Sequence, residues 1–100
     1  MKTDELIDAV IQWGRDHGIT NMESQANKVT EEWGETLMEM NHLRFGDAFE
    51  DGIGDTLVSL IIYADITGLD IRQCLEKTYN VIKDRVGQTV DGNFVKEAEI

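Results

Sequence analysis

The chain has no proline and one cysteine in 100 residues, and its nine lysines and arginines stand against twenty aspartates and glutamates. Each shortage excludes something. Without proline no helix is forced to break, so long helices are allowed. A lone Cys74 cannot close an intrachain disulfide, and this suits a reducing, cytoplasmic setting. It falls in an apolar pattern with Ile71 and Leu75, which predicts a buried structural thiol rather than a nucleophile. The net charge of −11 argues against direct binding to nucleic acid, whose phosphates require a basic surface. Two uses of the acidity remain: a cation site, or an acidic face offered to a basic partner, a DNA mimic included. Long apolar runs are also missing. The longest, residues 57–64, is too short to span a bilayer and contains Ser59. The opening Met-Lys-Thr-Asp-Glu-Leu carries no apolar signal region. The expectation is a cytoplasmic protein that does not enter a membrane.

What is present is a helical period. One domain is expected at this length, without repeats or low-complexity tracts. Thr3 is a candidate N-cap followed by Asp4 and Glu5, and Leu6, Val10 and Ile11, with Trp13 beside them, make an apolar face that ends at His17-Gly18. Asn21 or Ser24 caps a second helix whose Met22, Ala26, Val29, Trp33, Leu37 and Met40 recur at steps of three and four. Asp47 is the candidate cap of a third. Its Ile53, Leu57, Val58, Leu60, Ile61, Ile62, Ala64 and Ile66 cover nearly the whole circumference, which predicts burial in the middle of a bundle. Gly68 closes it, and Asp70 starts a fourth helix with the stripe Ile71, Leu75, Tyr79, Ile82 and Val86. The predicted fold is all-α: a four-helix antiparallel bundle with helices over about residues 3–17, 22–44, 48–67 and 70–86. The segment 87–100 follows as an ordered tail or short hairpin, with Asp91-Gly92 as its turn signal. A single core is adequate but not generous at this size, so a homodimer or homotetramer is expected.

The chemistry concentrates in Lys28-Val-Thr-Glu31-Glu32-Trp-Gly-Glu35. Glu32 and Glu35 are three apart and Glu31 and Glu35 four apart, so on a helix they are neighbours and each like-charge pair costs about 0.2–0.5 kcal/mol. Read alone, the cluster is a solvated acidic face. A hard divalent cation would reward it, because Mg²⁺ binds through one or two carboxylates plus substrate phosphates. At about 100° per residue, Gln25, Lys28, Glu32, Glu35 and Glu39 form a strip beside the apolar stripe, while Glu31 sits farther round. Asp51 and Asp55, four apart on the third helix, are the facing partners. A carboxylate buried on that helix demands a partner, and Asp55 has no cation at helical spacing. A cation bridging Glu32, Glu35 and Asp55 would satisfy all of them, and oxygen-only ligation favours Mg²⁺ or Mn²⁺ over zinc. Asp51 is either a further ligand or an acid favoured by the helix N-terminus.

With these residues the sequence resembles the MazG-like nucleotide pyrophosphohydrolases of the all-α NTP pyrophosphatase superfamily, in the look of its short, phage-type, single-domain members. The family pattern is Glu-Glu-x-x-Glu on one helix and Glu-x-x-Asp on the next. Glu31-Glu32-x-x-Glu35 matches the first half, and Ile53-Gly54-Asp55 followed by Thr-Leu-Val resembles the second. The likeness extends from Trp13 through Asn80-x-x-Lys83-Asp-Arg85 and into Asp91-Gly-Asn-Phe-Val-Lys-Glu. One departure stands out: Gly52 occupies the place of the glutamate of Glu-x-x-Asp, so Asp51 supplies that oxygen or an extra water stays on the ion. The resemblance implies Mg²⁺ held by Glu32, Glu35 and Asp55. Glu31 becomes the base for the attacking water or a ligand to a second ion. Lys28 meets phosphate, with an i, i+4 salt bridge to Glu32 as its alternative. Asn80 and Lys83 approach the nucleotide, Asn80 otherwise being an exposed polar residue. Trp13 is placed in the core in preference to stacking on a base. The implied substrate is a nucleoside triphosphate, the products a monophosphate and pyrophosphate. The competing expectation is a catalytically weak relative that works as an acidic helical interaction module.

Overall fold

A computed structural model describes residues 1–97 as four helices and one β-hairpin. Helix α1 spans Thr3–Asp16, α2 Met22–Asn41, α3 Asp47–Ile66 and α4 Ile71–Ile82, followed by strands β1, Gly87–Val90, and β2, Asn93–Lys96. The last three residues of the expected tail lie outside the described segment. No single helix among the described residues is long and apolar enough to cross a membrane.

The helix starts follow local chemistry, with two changes. Asn21 accepts a hydrogen bond from the Ser24 amide at 2.9 Å and caps α2. Asp70 does the same for α4 by accepting from the Arg72 amide at 2.8 Å. Thr3 and Asp47, expected as caps, are instead the first helical residues, and Lys2 and Gly46 hold the cap positions. Two helices end early. Helix α2 stops at Asn41 because Leu43 turns left-handed at φ 53°, and Arg44 folds back onto Glu39 at 2.7 Å. Helix α4 stops at Ile82, four residues before the expected end, because the chain must extend to feed β1. The Glu97 amide closes the base of the hairpin on the Val86 carbonyl at 2.7 Å. Asp91 and Gly92, at φ 50° and 82°, form the two-residue turn that the right-handed twist of a hairpin favours.

Helix α3 is the element on which α1 and α2 pack. Gly14 of α1 lies against Ile62, where an added Cβ would stand 3.2 Å from that side chain. Arg15 secures the same contact through Asp65 at 2.7 Å. On the other flank Gln25 Nε2 donates to the Ser59 carbonyl at 3.0 Å, and Thr36 is seated against Gly52. The buried apolar residues are few: Ile61, Ile62 and Ala64.

The expected burial of α3 on all sides is therefore corrected, for Ile53, Leu57 and Leu60 remain exposed. The antiparallel arrangement is corrected at α4, since the chain bends by 100° between α3 and α4. The cause is a pinned turn. Gly68 adopts φ 83°, the Leu69 amide returns to the Ala64 carbonyl at 2.8 Å, and Arg72 reaches Asp70 and Asp8, each at 2.8 Å. Cys74, expected to be buried, is only partly covered because α4 leaves the body at this angle.

The Arg72 guanidinium hydrogen-bonded to Asp70 holds that carboxyl below its usual range. Asp70 therefore favours the folded turn above the unfolded carboxylate value, about pH 4, and loses that contribution as pH falls through its lower folded value. Amide protection at the start of α4, measured relative to the intrinsic exchange rate at each pH, should fall on acidification below about pH 4. Arg72→Ala should lower it already at neutral pH; unchanged protection in that variant would mean that the turn holds without the ion pairs.

Candidate functional site

The seating of Thr36 on Gly52 brings α2 and α3 together in the middle of their lengths, with carboxylates on either side. A Cβ at Gly52 would collide with Thr36 Oγ1, and its next neighbours would be Thr36 Cβ at 3.3 Å and Cγ2 at 3.4 Å. Thr36 is fully buried and donates its hydroxyl to the Glu32 carbonyl at 2.8 Å. Gly52 is thus a steric requirement, and the space where a larger side chain at this position would begin is filled by Thr36. Neither Thr36 nor Ser59 was singled out for the site, although a glycine inside a helical pattern signals such a close approach.

Two clefts flank this contact. One, of about 490 Å³, is lined by Trp13, Gln25, Lys28, Glu32, Asp55 and Ser59 among others. The second, of about 410 Å³, is lined by Glu35, Thr36, Glu39, Asp51, Gly52 and Asp55 among others. Asp55 belongs to both, so the structure brings Glu32, Glu35, Asp51, Asp55, Lys28 and Trp13 around one helix pair. Glu31 is exposed and lines neither cleft. Asn80 and Lys83, on α4 and at its C-terminal cap, also line neither.

Charge compensation differs between the clefts. Glu32 is largely covered, its side chain 12% accessible, and is paired with Lys28 at 2.9 Å. The hydrogen bond to Glu32, its charge, and that of Glu31 raise the Lys28 ammonium above its ordinary pKa. Glu39 is held by Arg44, whose hydrogen bond lowers its carboxyl below the usual value. Glu35, Asp51 and Asp55 make no hydrogen bond or ion pair among the described residues. A third cleft, of about 540 Å³, between α1 and the α3–α4 turn, has its charges neutralised by the Arg15–Asp65 and Arg72–Asp8 pairs. The uncompensated charge is on the α2–α3 side.

Two expectations are corrected. Asp55 is exposed rather than buried, because it stands at the edge of α3 where both clefts open to water. Its desolvation therefore does not require a cation. Trp13 is 51% exposed rather than in the core. Gly14, its neighbour, takes the contact with Ile62 and leaves Trp13 at the cleft wall, where its ring lies 4.3 Å from that of His17. Among the described residues, no three histidine, cysteine or acidic side chains stand close enough together to hold a metal ion.

No family model, curated protein or solved structure matches this chain.

Helix propensity favours alanine over glycine by about 1 kcal/mol, whereas overpacking a tight contact costs about 1–3 kcal/mol. Gly52→Ala should therefore lower stability in urea titration, and Thr36→Ala in the same chain should recover most of the loss. A stabilised Gly52→Ala variant would show that the helices separate without cost.

Proposed function

We propose that this chain is a Mg²⁺-dependent nucleoside triphosphate pyrophosphohydrolase whose site lies between α2 and α3. One observation carries the reading: Glu35, Asp51 and Asp55 line a single cleft without a hydrogen bond or ion pair among the described residues, and Asp55 links it to the cleft of Glu32 and Lys28. The donors are all carboxylate oxygens, which suits Mg²⁺ or Mn²⁺ and not zinc. The set fits an ion by type and by placement on facing helices. Its side chains do not converge as they stand, so binding requires Glu35 and the aspartates to turn inward. The resemblance to MazG-like enzymes in Glu31-Glu32-x-x-Glu35 and Asp55 gives the same reading its substrate.

In this proposal Glu32, Glu35, Asp55 and Asp51 would hold the ion, which would neutralise triphosphate charge and favour attack by water. Glu31 lines neither cleft, and its part as the base that would take the proton of the attacking water rests on the resemblance alone. The water oxygen bonds phosphorus as the α–β anhydride bond breaks, and pyrophosphate leaves the nucleoside monophosphate. Lys28 exchanges Glu32 for phosphate, and the exposed face of Trp13 closes the cleft over the base. Asn80 and Lys83 have no support for a substrate role within one chain, because they line neither cleft. The second reading, a catalytically weak acidic module for protein interaction, is favoured by Thr36, which fills the place of the missing glutamate side chain.

Incubation with a panel of NTPs and dNTPs plus Mg²⁺ separates the two. Pyrophosphate release is the expected result; no release from any nucleotide with Mg²⁺ or Mn²⁺ would leave only the module. Glu35→Gln should abolish release while the helical circular dichroism stays intact. Its stability should be unchanged or slightly raised, since removing a like charge from an exposed helix face relieves about 0.2–0.5 kcal/mol of repulsion per pair.

A further inference from the structure

Gln25 is only 7% exposed, and its amide is held in one orientation. Nε2 donates to the Ser59 carbonyl at 3.0 Å, and a flipped amide would set oxygen against oxygen there. Oε1 is therefore the free end, and it accepts no hydrogen bond among the described residues. Among those residues no side-chain oxygen or nitrogen is both sealed from water and unpartnered. Oε1 is thus open to water, at the wall of the cleft that Gln25 shares with Trp13 and Lys28. Ser59 lines the same cleft, and its hydroxyl hydrogen is committed to the Thr56 carbonyl at 2.8 Å. Only lone pairs of that hydroxyl remain for a ligand.

The two fixed polar groups of this wall are both acceptors. Its other side chains leave that character in place. Lys28 is paired with Glu32 at 2.9 Å, and Glu32 and Asp55 add further acceptor oxygens. Ser24 stands in the exposed first turn of α2, where its hydroxyl rotates and serves either way. Trp13 contributes a half-exposed ring face on which a flat ring can stack.

We infer that this wall selects the nucleobase, taking adenine or cytosine over their keto counterparts, with Gln25 Oε1 as the specificity-determining acceptor. The inference rests on the reading of the cleft as a nucleotide site. The exocyclic amino group of adenine or cytosine directs a hydrogen at an acceptor. In hypoxanthine or uracil a carbonyl stands at the same place on the ring and meets Oε1 oxygen to oxygen. The ring N–H of those bases gives no escape, because that carbonyl flanks it. Nor can the amide turn to offer Nε2, since Oε1 would then face the Ser59 carbonyl.

Matched pairs that differ only in this group test the inference. The α,β-methylene analogues of ATP and ITP, and of dCTP and dUTP, are titrated calorimetrically with Mg²⁺, and pyrophosphate release from the parent nucleotides is followed in parallel. The amino member of each pair should bind about 10-fold more tightly, as for one hydrogen bond replaced by an unsatisfied contact. Gln25→Met, which removes the acceptor at similar volume, should bring the members of each pair within about twofold. If that variant loses helicity, the analogue with unsubstituted purine replaces it. Lacking both the amino group and the carbonyl, it should bind more weakly than the ATP analogue and more tightly than the ITP analogue. Equal or keto-favouring affinity in either pair overturns the inference, as does no binding of any analogue. A preference retained in helical Gln25→Met, or unsubstituted purine binding as well as adenine, overturns the role of Gln25. Amino preference without pyrophosphate release leaves the base assignment standing and removes only the enzymatic reading. Release without preference removes only the base assignment.

Discussion

The seating of Thr36 against Gly52 sets the separation of α2 and α3, and the placement of every carboxylate between those helices depends on that separation. The contact is made by small groups and a hydroxyl, not by large apolar side chains. It therefore tolerates the acids beside it, which would be costly to bury in a wide hydrophobic interface. Glu32 precedes Thr36 by one turn and shares its hydrogen-bonding network through the Thr36 hydroxyl. Asp51 and Asp55 bracket Gly52 on the other helix. Close approach and acidic site are two sides of one arrangement.

Much of this was legible in the sequence. The apolar steps of three and four located all four helices, and Asp91-Gly92 located the hairpin turn. The pairing of the Glu31-Glu32-x-x-Glu35 helix with the Asp51 and Asp55 helix could be read because side chains on a core stripe's flank face the neighbouring helix. The ends of α2 and α4 could not be read from periodicity. Leu43 took a left-handed conformation that leucine sequences do not announce, and the apolar Val86 served the hairpin base rather than the helix. Asp55 was misjudged for a related reason. The apolar circumference of α3 implied burial all round, but its neighbours among the described residues leave Ile53, Leu57 and Leu60 exposed. Trp13 was misjudged because Gly14 carries no apolar signal and yet makes the contact with Ile62.

The departure at position 52 acquires a physical meaning from the same contact. A glutamate there would need Thr36 to move, so the two positions are coupled: a small residue on one helix admits a β-branched one on the other. The absence of a side chain at position 52 is not an empty space between the helices. It admits the close α2–α3 approach, and Asp51 lies one residue away on the rim of the same cleft.

The uneven distribution of charge ties the site to the exposed stripe of α4. Almost all of the net −11 belongs to the part of the chain that carries the carboxylate clefts. That part has a thin apolar core of Ile61, Ile62 and Ala64, so self-repulsion has little to oppose it within one chain. Divalent cations would relieve repulsion at the clefts, where Glu35, Asp51 and Asp55 make no ion pair among the described residues. They would do nothing for Leu57, Leu60 or the stripe of α4, which need apolar cover. The two deficits are chemically distinct and spatially separate, one of charge between α2 and α3 and one of apolar contact along α1, α3 and α4. A cation would therefore answer only the first deficit, and apolar cover only the second.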